Sequence, residues 1–277
     1  MRRITALTDG WRFLRAAVPY DTAVSYAAQG EAVSLPHTWN AVDGQDGGND
    51  YHRGTCWYVR ELDREECGGE KFFLSVNGAA MTAEVFLNGK KLARHEGGYS
   101  AFRVELTDVL EEKNVLAISV NNEDHTPVYP PKADFTFYGG LYRTVELIAV
   151  PEEHFELLYD GTPGIKVTPV VDLAKKSALV TVETWQNAAE VTVTAAGQTK
   201  TVPSVDGHAK AEFVIENVHL WDGTDDPYLY TASASLASGD AVSTRFGCRV
   251  FACDPEKGLL PQRAELSAAG RQPPPGP

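Results

Sequence analysis

Cysteine is scarce in this chain. Cys56, Cys67, Cys248 and Cys253 are the only four in 277 residues, and no two stand at C-x-x-C spacing. That excludes a zinc ribbon and a dense disulfide framework, neither of which a chain of this length needs for stability. Basic residues are in deficit, 25 against 38 acidic ones, for a net charge of −13. With no basic patch to offset it, this acidity argues against nucleic-acid binding and against anionic membrane surfaces. No apolar run approaches the ~20 residues of a membrane span. Met1-Arg2-Arg3-Ile4-Thr5 has two arginines but no apolar core behind them, so it does not read as a signal peptide. With no leader, four free thiols in a reducing, cytoplasmic compartment are the expectation. Nucleophile-elbow, phosphate-loop, HExxH and kinase signatures are all missing, and no histidine stands at metal-ligand spacing from another.

At about 150 residues per domain the length suggests two domains, and the dominant periodicity is two. Phe102-Arg103-Val104-Glu105-Leu106 alternates as a half-buried strand does, and Val115–Val120 is a short apolar run. Glu84–Leu87, then Asn88-Gly89, then Lys90–Leu92 reads as a hairpin, because Asn-Gly accepts the positive φ of a type I′ turn. Further strands are predicted at Lys71–Val76 and Thr144–Ala149. After Pro151 the strands become threonine-rich: Val180–Thr184, Val191–Thr194, Glu212–Ile215 and Leu229–Ala232. Turn signals at Asn187, Gly197, Asp206-Gly207 and Gly239-Asp240 space them as in a small sandwich. No convincing amphipathic helix is found. The reading is two all-β domains with a boundary near Pro151–His154. Gly258 to Pro277, ending Pro273-Pro274-Pro275-Gly276-Pro277, has no strand pattern and too little apolar content to pack, so disorder is expected there.

Two loops carry chemistry. The first runs from Leu35-Pro36-His37-Thr38-Trp39-Asn40 through an Asp-Gly-rich stretch to Tyr51, His52, Arg53-Gly54 and Trp57-Tyr58. Aromatics interleaved with amides and carboxylates suit sugars, since rings stack on C–H faces and polar groups bind hydroxyls. A flexible turn beside packed Trp39 and Trp57 accounts equally well for it. His37 and His52 read by default as solvated loop histidines, with ligand contact as the alternative. The second loop is Asp134-Phe135-Thr136-Phe137-Tyr138-Gly139-Gly140-Leu141-Tyr142-Arg143. Gly139 and Gly140 suggest a tight bend and Arg143 a buried or paired guanidinium; these structural roles leave Asp134 unexplained.

On these residues the chain resembles the N-terminal half of glycoside hydrolase family 2, and within it bacterial β-galactosidases. Leu35–Trp39 is similar to the family's early loop, and Tyr51, Arg53-Gly54 and Trp57-Tyr58 to its next strand. Gly139-Gly140-Leu141-Tyr142-Arg143 resembles its GG(I/L)(Y/F)R signature. Leu220-Trp221, Pro227–Tyr230 and Arg245–Arg249 resemble the end of its second domain. The resemblance covers residues 1 to about 258. It implies a jelly-roll sugar-binding domain over 1–151, an immunoglobulin-like sandwich over 154–252, and a TIM barrel following them. It further implies that Asp134 is the aspartate that reaches the barrel's pocket, contacting the terminal sugar and, in the complete enzyme, a sodium ion. Tyr51, His52 and Arg53 fall where a second pocket-lining loop would lie. No cofactor is expected in the chain itself.

Retaining hydrolysis uses two carboxyl groups about 5 Å apart, which the resemblance assigns to the barrel. The neighbouring pairs Glu65-Glu66, Glu111-Glu112 and Glu152-Glu153 would point to opposite faces of a strand and read as solvated charge. Catalytic residues are therefore not expected here, and the chain alone should be inactive. After Asp254-Pro255-Glu256-Lys257-Gly258 the family continues G-F-F-L-N-G-x-x-x-x-L-R-G-V-x-x-H-x-D. One synonymous coding of the tail, with a single base removed at Gly258, reads G-F-F-L-N-G-R-S-Y-P-L-R-G-V-S-R-H-Q-D. Residues 253–277 are thus read as the start of a linker followed by a disordered, frame-shifted tail. The leading expectation is an N-terminal fragment of a β-galactosidase-like hydrolase of carbohydrate metabolism, with β-galactosides preferred and the barrel as partner. Loss of the barrel would expose apolar surface and favour self-association. A free-standing carbohydrate-binding module and a β-sandwich interaction protein are the alternatives.

Overall fold

The computed structural model describes residues 1–41, 52–64, 69–123, 128, 137–158, 162–254 and 258–261. The chain divides into two units. The first is Met1–Pro163 with Ser238–Asp240, and the second starts at Gly164 and resumes at Ala241. The division falls later than Pro151–His154 because the segment after β10 stays with the first unit. Leu157 is buried with Phe73, Ile148 and Val150.

The first unit holds β1 (Arg3–Ala6), β2 (Trp11–Leu14), β3 (Glu31–Val33), β4 (Thr55–Asp63) and β5 (Lys71–Val76). It continues with β6 (Thr82–Leu87), β7 (Lys90–Glu96), β8 (Phe102–Glu105), β9 (Lys113–Asn121) and β10 (Val145–Val150). They form a four-stranded sheet, β1-β10-β5-β8, and a six-stranded sheet, β3-β2-β4-β9-β6-β7. Every pairing is antiparallel. Period-two alternation sends Trp11, Phe13, Tyr58, Leu62, Ile118 and Val120 inward, where they meet Phe72, Leu74 and Leu147 of the other sheet. This is the expected jelly-roll sandwich. The hairpin turn is as the sequence predicts: Asn88 and Gly89 have φ of 51° and 84° between β6 and β7. Among the described residues one short α-helix, α1 (Tyr20–Ser25), is set into this all-β unit. At six residues it is too short to show a helical period, and it stands on packing of Tyr20, Ala23 and Val24 against Trp57, Val59 and Ala117.

The second unit holds β11 (Ile165–Asp172), β12 (Ser177–Trp185), β13 (Glu190–Ala195), β14 (Gln198–Pro203), β15 (His208–Glu216), β16 (Tyr230–Ser235) and β17 (Ala241–Phe246). Sheets β11-β12-β15 and β14-β13-β16-β17 make the seven strands of an immunoglobulin-like sandwich. Gly197, Asp206, Gly207 and Gly239 all take the positive φ their turns require. Last come β18 (Phe251–Asp254) and β19 (Gly258–Pro261), paired antiparallel with Ala252 opposite Leu260. Strand pairing at Gly258–Pro261 corrects the expectation that nothing from Gly258 onward is a strand. Four residues are too few to show alternation, and their order comes from ladder hydrogen bonds. Residues 262–277 lie outside the described residues.

Candidate functional site

The first unit brings both chemically marked loops together. His37 donates its backbone N–H to the Leu141 carbonyl at 2.8 Å and Trp39 to that of Gly139 at 3.4 Å, so Leu35–Trp39 runs along the Gly-Gly turn. Gly140 has φ 116°; a Cβ there would stand 2.5 Å from the Tyr58 hydroxyl and 2.8 Å from the His37 carbonyl. At Gly139 a Cβ would meet the Trp39 ring at 2.4 Å. Only glycine fits either position.

Two buried amides hold the loops. Asn40, wholly buried, donates to the Phe137 carbonyl at 2.9 Å and accepts from the Gly139 N–H and the Thr38 hydroxyl, both at 2.8 Å. Asn122 accepts from the Gly54 N–H at 2.9 Å and donates to the His52 carbonyl at 3.1 Å, while Arg53 donates to the Asn122 carbonyl at 3.1 Å. Trp39 bridges the two sets: its indole N–H donates to the His52 carbonyl at 3.3 Å. Such satisfied buried amides fix loop geometry at little net energetic gain.

His37 corrects the reading of a solvated loop histidine. Its ring packs on Phe13, centroids 4.9 Å apart, and Nδ1 shares a hydrogen bond with the Tyr58 hydroxyl at 2.8 Å. The Tyr58 oxygen accepts in turn from the Leu141 N–H. Burial holds His37 below its ordinary pKa of 6.5 and pushes the Tyr58 phenol up. Burial also raises Cys56 to about 12 and Cys248 to about 11, so neither thiol is a nucleophile near neutrality. Cys56 Sγ lies 3.5 Å from His52 Nε2.

Of the residues read from the sequence, His52 and Arg53 join this cluster with Gly139 and Gly140. Arg143 is exposed but paired, donating to the Tyr99 and Asn77 carbonyls at 2.9 and 3.3 Å, with its guanidinium over the Tyr142 ring. Glu111-Glu112 and Glu152-Glu153 are exposed. Tyr51 and Asp134, and with Asp134 the sodium ion implied beside it, fall outside the described residues. Asn40 and Asn122 were not singled out by sequence reasoning, although Asn40 ends the marked Leu35–Asn40 stretch. Among the described residues no three His, Cys, Asp or Glu side chains converge as metal ligands, and no helix is long and apolar enough to cross a membrane.

Fold and cluster together define a tandem β-sandwich protein whose first unit carries an amide- and aromatic-rich loop site. Residues 45–129 match the galactose-binding domain-like model of glycosyl hydrolase 2, and residues 163–249 match the glycosyl hydrolases family 2 model. A β-glucuronidase of Bacteroides fragilis is 33% identical over 94% of this chain, which spans 39% of that protein. A β-galactosidase of Bacteroides ovatus is 29% identical over 82% of the chain and 29% of its own length. Among solved structures, a putative β-galactosidase from B. fragilis superposes with a TM-score of 0.81 at 29% identity, over 96% of this chain and 44% of that one. A Bacteroides uniformis β-glucuronidase gives 0.79 at 26% identity, over 94% and 34%. The chain belongs to glycosyl hydrolase family 2 and corresponds to the N-terminal part of its members. It spans less than half the length of these relatives.

Proposed function

We propose that this chain supplies one wall of the sugar pocket, and the scaffold beside it, for a retaining β-glycoside hydrolase whose two catalytic glutamates sit on a (β/α)₈ barrel outside these residues. The observation that carries the reading is the Asn40 clamp. A desolvated amide holds the backbone at Phe137 and Gly139, and Phe137 stands three residues beyond Asp134 in sequence. Supporting it, the chain's relatives carry glycosidase names and are more than twice its length. β-Galactosides are the substrate class we assign, from Asp134 ahead of the Gly-Gly turn and the Asp-Gly-rich loop. β-Glucuronides are the second reading, favoured by the name of the 33%-identical Bacteroides fragilis relative.

The test is to express the chain together with a barrel encoded downstream and to measure hydrolysis of p-nitrophenyl β-galactoside and β-glucuronide. The pair should hydrolyse one of them, and Asn40→Leu should lower kcat/KM by roughly tenfold to a hundredfold through misplacement of the loop. A barrel equally active without this chain, or the lack of any barrel-encoding frame, would overturn the proposal.

A further inference from the structure

The outer face of the six-stranded sheet carries three cross-strand rows of different character. Thr55, Asn121 and Thr82 form the first. Trp57, Ser119, Glu84 and Arg94 form the second. Val59, Ala117 and Phe86 form the third. Helix α1 and the chain before it pack onto Trp57, Val59, Ala117 and Phe86, covering the apolar row. The two polar rows are left as the floor of a groove of about 550 Å³, walled by Val18, Pro19 and Tyr20. That wall is firmly placed: the Trp57 indole N–H donates to the Val18 carbonyl at 3.0 Å, and Tyr20 stacks on Phe86 with centroids 5.1 Å apart.

Thr82 and Ser119 are each only 7% exposed, and the surface they keep faces the groove. Their hydroxyls are open to the groove, where each can donate to and accept from whatever occupies it. Beside them stand Asn121, which donates to the Thr55 hydroxyl at 3.0 Å, and the carboxylate of Glu84. The charges here are already matched: Glu84 accepts from Lys91 and Arg94, and Arg94 also pairs with Glu96. Among the described residues a phosphate or a uronate would find no unmatched cation in the groove, and an apolar ligand would desolvate its floor. Uncharged donors and acceptors beside an aromatic wall match a polyol ring with one C–H face.

We propose that this groove is a second saccharide site, taking one or two rings of an uncharged pyranoside. It is distinct from the loop cluster: Asn121 lines the groove, whereas the next residue, Asn122, bonds His52 and Gly54.

Titration of the ¹⁵N-labelled 277-residue chain with methyl β-D-galactopyranoside, methyl β-D-glucopyranoside or D-glucuronate, read by NMR, tests this. A neutral glycoside should shift the Trp57 indole and the Thr82 and Ser119 amides along a saturating curve at millimolar concentration, and glucuronate should leave them in place. Thr82→Val with Ser119→Ala should weaken binding about tenfold, as loss of two neutral hydrogen bonds does. Tyr20→Leu, altered on the helix rather than in the sheet, should weaken it as well and serves if the double variant misfolds. Shifts confined to His52, Asn122 and Gly140 would instead report the loop site and overturn the groove. So would glucuronate binding as tightly as the neutral glycosides, or unchanged affinity in both variants.

Discussion

Gly140 joins both halves of the loop cluster through its missing side chain. A Cβ would collide with the Tyr58 hydroxyl at 2.5 Å and the His37 carbonyl at 2.8 Å, at a φ of 116° that L-residues rarely adopt. Gly140→Ala should therefore destabilise the first unit by ~3 kcal/mol, seen as a lower urea midpoint with secondary structure retained. His37 makes a pH-dependent contribution. Burial holds its folded pKa below the ordinary 6.5, so the folded state favours the neutral ring beside Tyr58. Above about 6.5 both states are neutral at this position and its contribution is complete. As pH falls through 6.5 toward the lower folded value, the unfolded chain takes up a proton the folded one refuses, and stability is lost at no more than ~1.4 kcal/mol per pH unit. Urea midpoints taken between about pH 7.5 and 5.5 should fall for the native chain and fall less for His37→Gln, which cannot titrate. At this scale the sequence was half legible. Gly139-Gly140 could be read because backbone demands are local, whereas the clamp of Asn40 on Phe137 spans 97 residues and leaves no local mark.

Elements were legible where one face is buried and the other wet. β12 and β15 alternate over the predicted Val180–Thr184 and Glu212–Ile215 and Asn-Gly marks the β6–β7 turn, whereas β5, buried at five of its six residues, matches Lys71–Val76 without alternating. Edge strands escaped for physical reasons. β14 is exposed along nearly its whole length, and β11 holds Pro169, which an edge strand tolerates and a central one does not. On the outer face of β11-β12-β15, Val170, Leu179 and Val214 stand opposite one another and are 61%, 41% and 49% exposed. A row of apolar side chains on a solvent face is a surface for association. The chain should show concentration-dependent growth in light scattering, and Leu179→Lys should reduce it without lowering thermal stability by more than ~1 kcal/mol. A monodisperse monomer at high concentration would refute this.

For the whole molecule, the decisive stretch is the one that follows Asp254. Gly258–Pro261 pairs with Phe251–Asp254, Leu259 opposite Cys253 and Leu260 opposite Ala252. In the synonymous coding set out above, with one base removed at Gly258, the same positions would read Gly-Phe-Phe-Leu, two large apolar residues where the ladder has Leu259 and Leu260. A one-base slip would thus leave the hairpin's backbone pairing intact and alter everything beyond it. There the chain turns to Ala-, Gly- and Pro-rich sequence that offers little to a core. Genomic sequence across the Gly258 codon and the following kilobase should show one base fewer than the present reading, then an open frame encoding a barrel with two glutamates. A protein expressed from that corrected frame should hydrolyse a β-glycoside, whereas the 277-residue chain should not. An unaltered frame with no barrel-encoding sequence downstream would remove the scaffold role. Sugar recognition by the first unit alone would then have to account for the Gly-Gly turn, its amide clamps and the hydroxyl-lined groove.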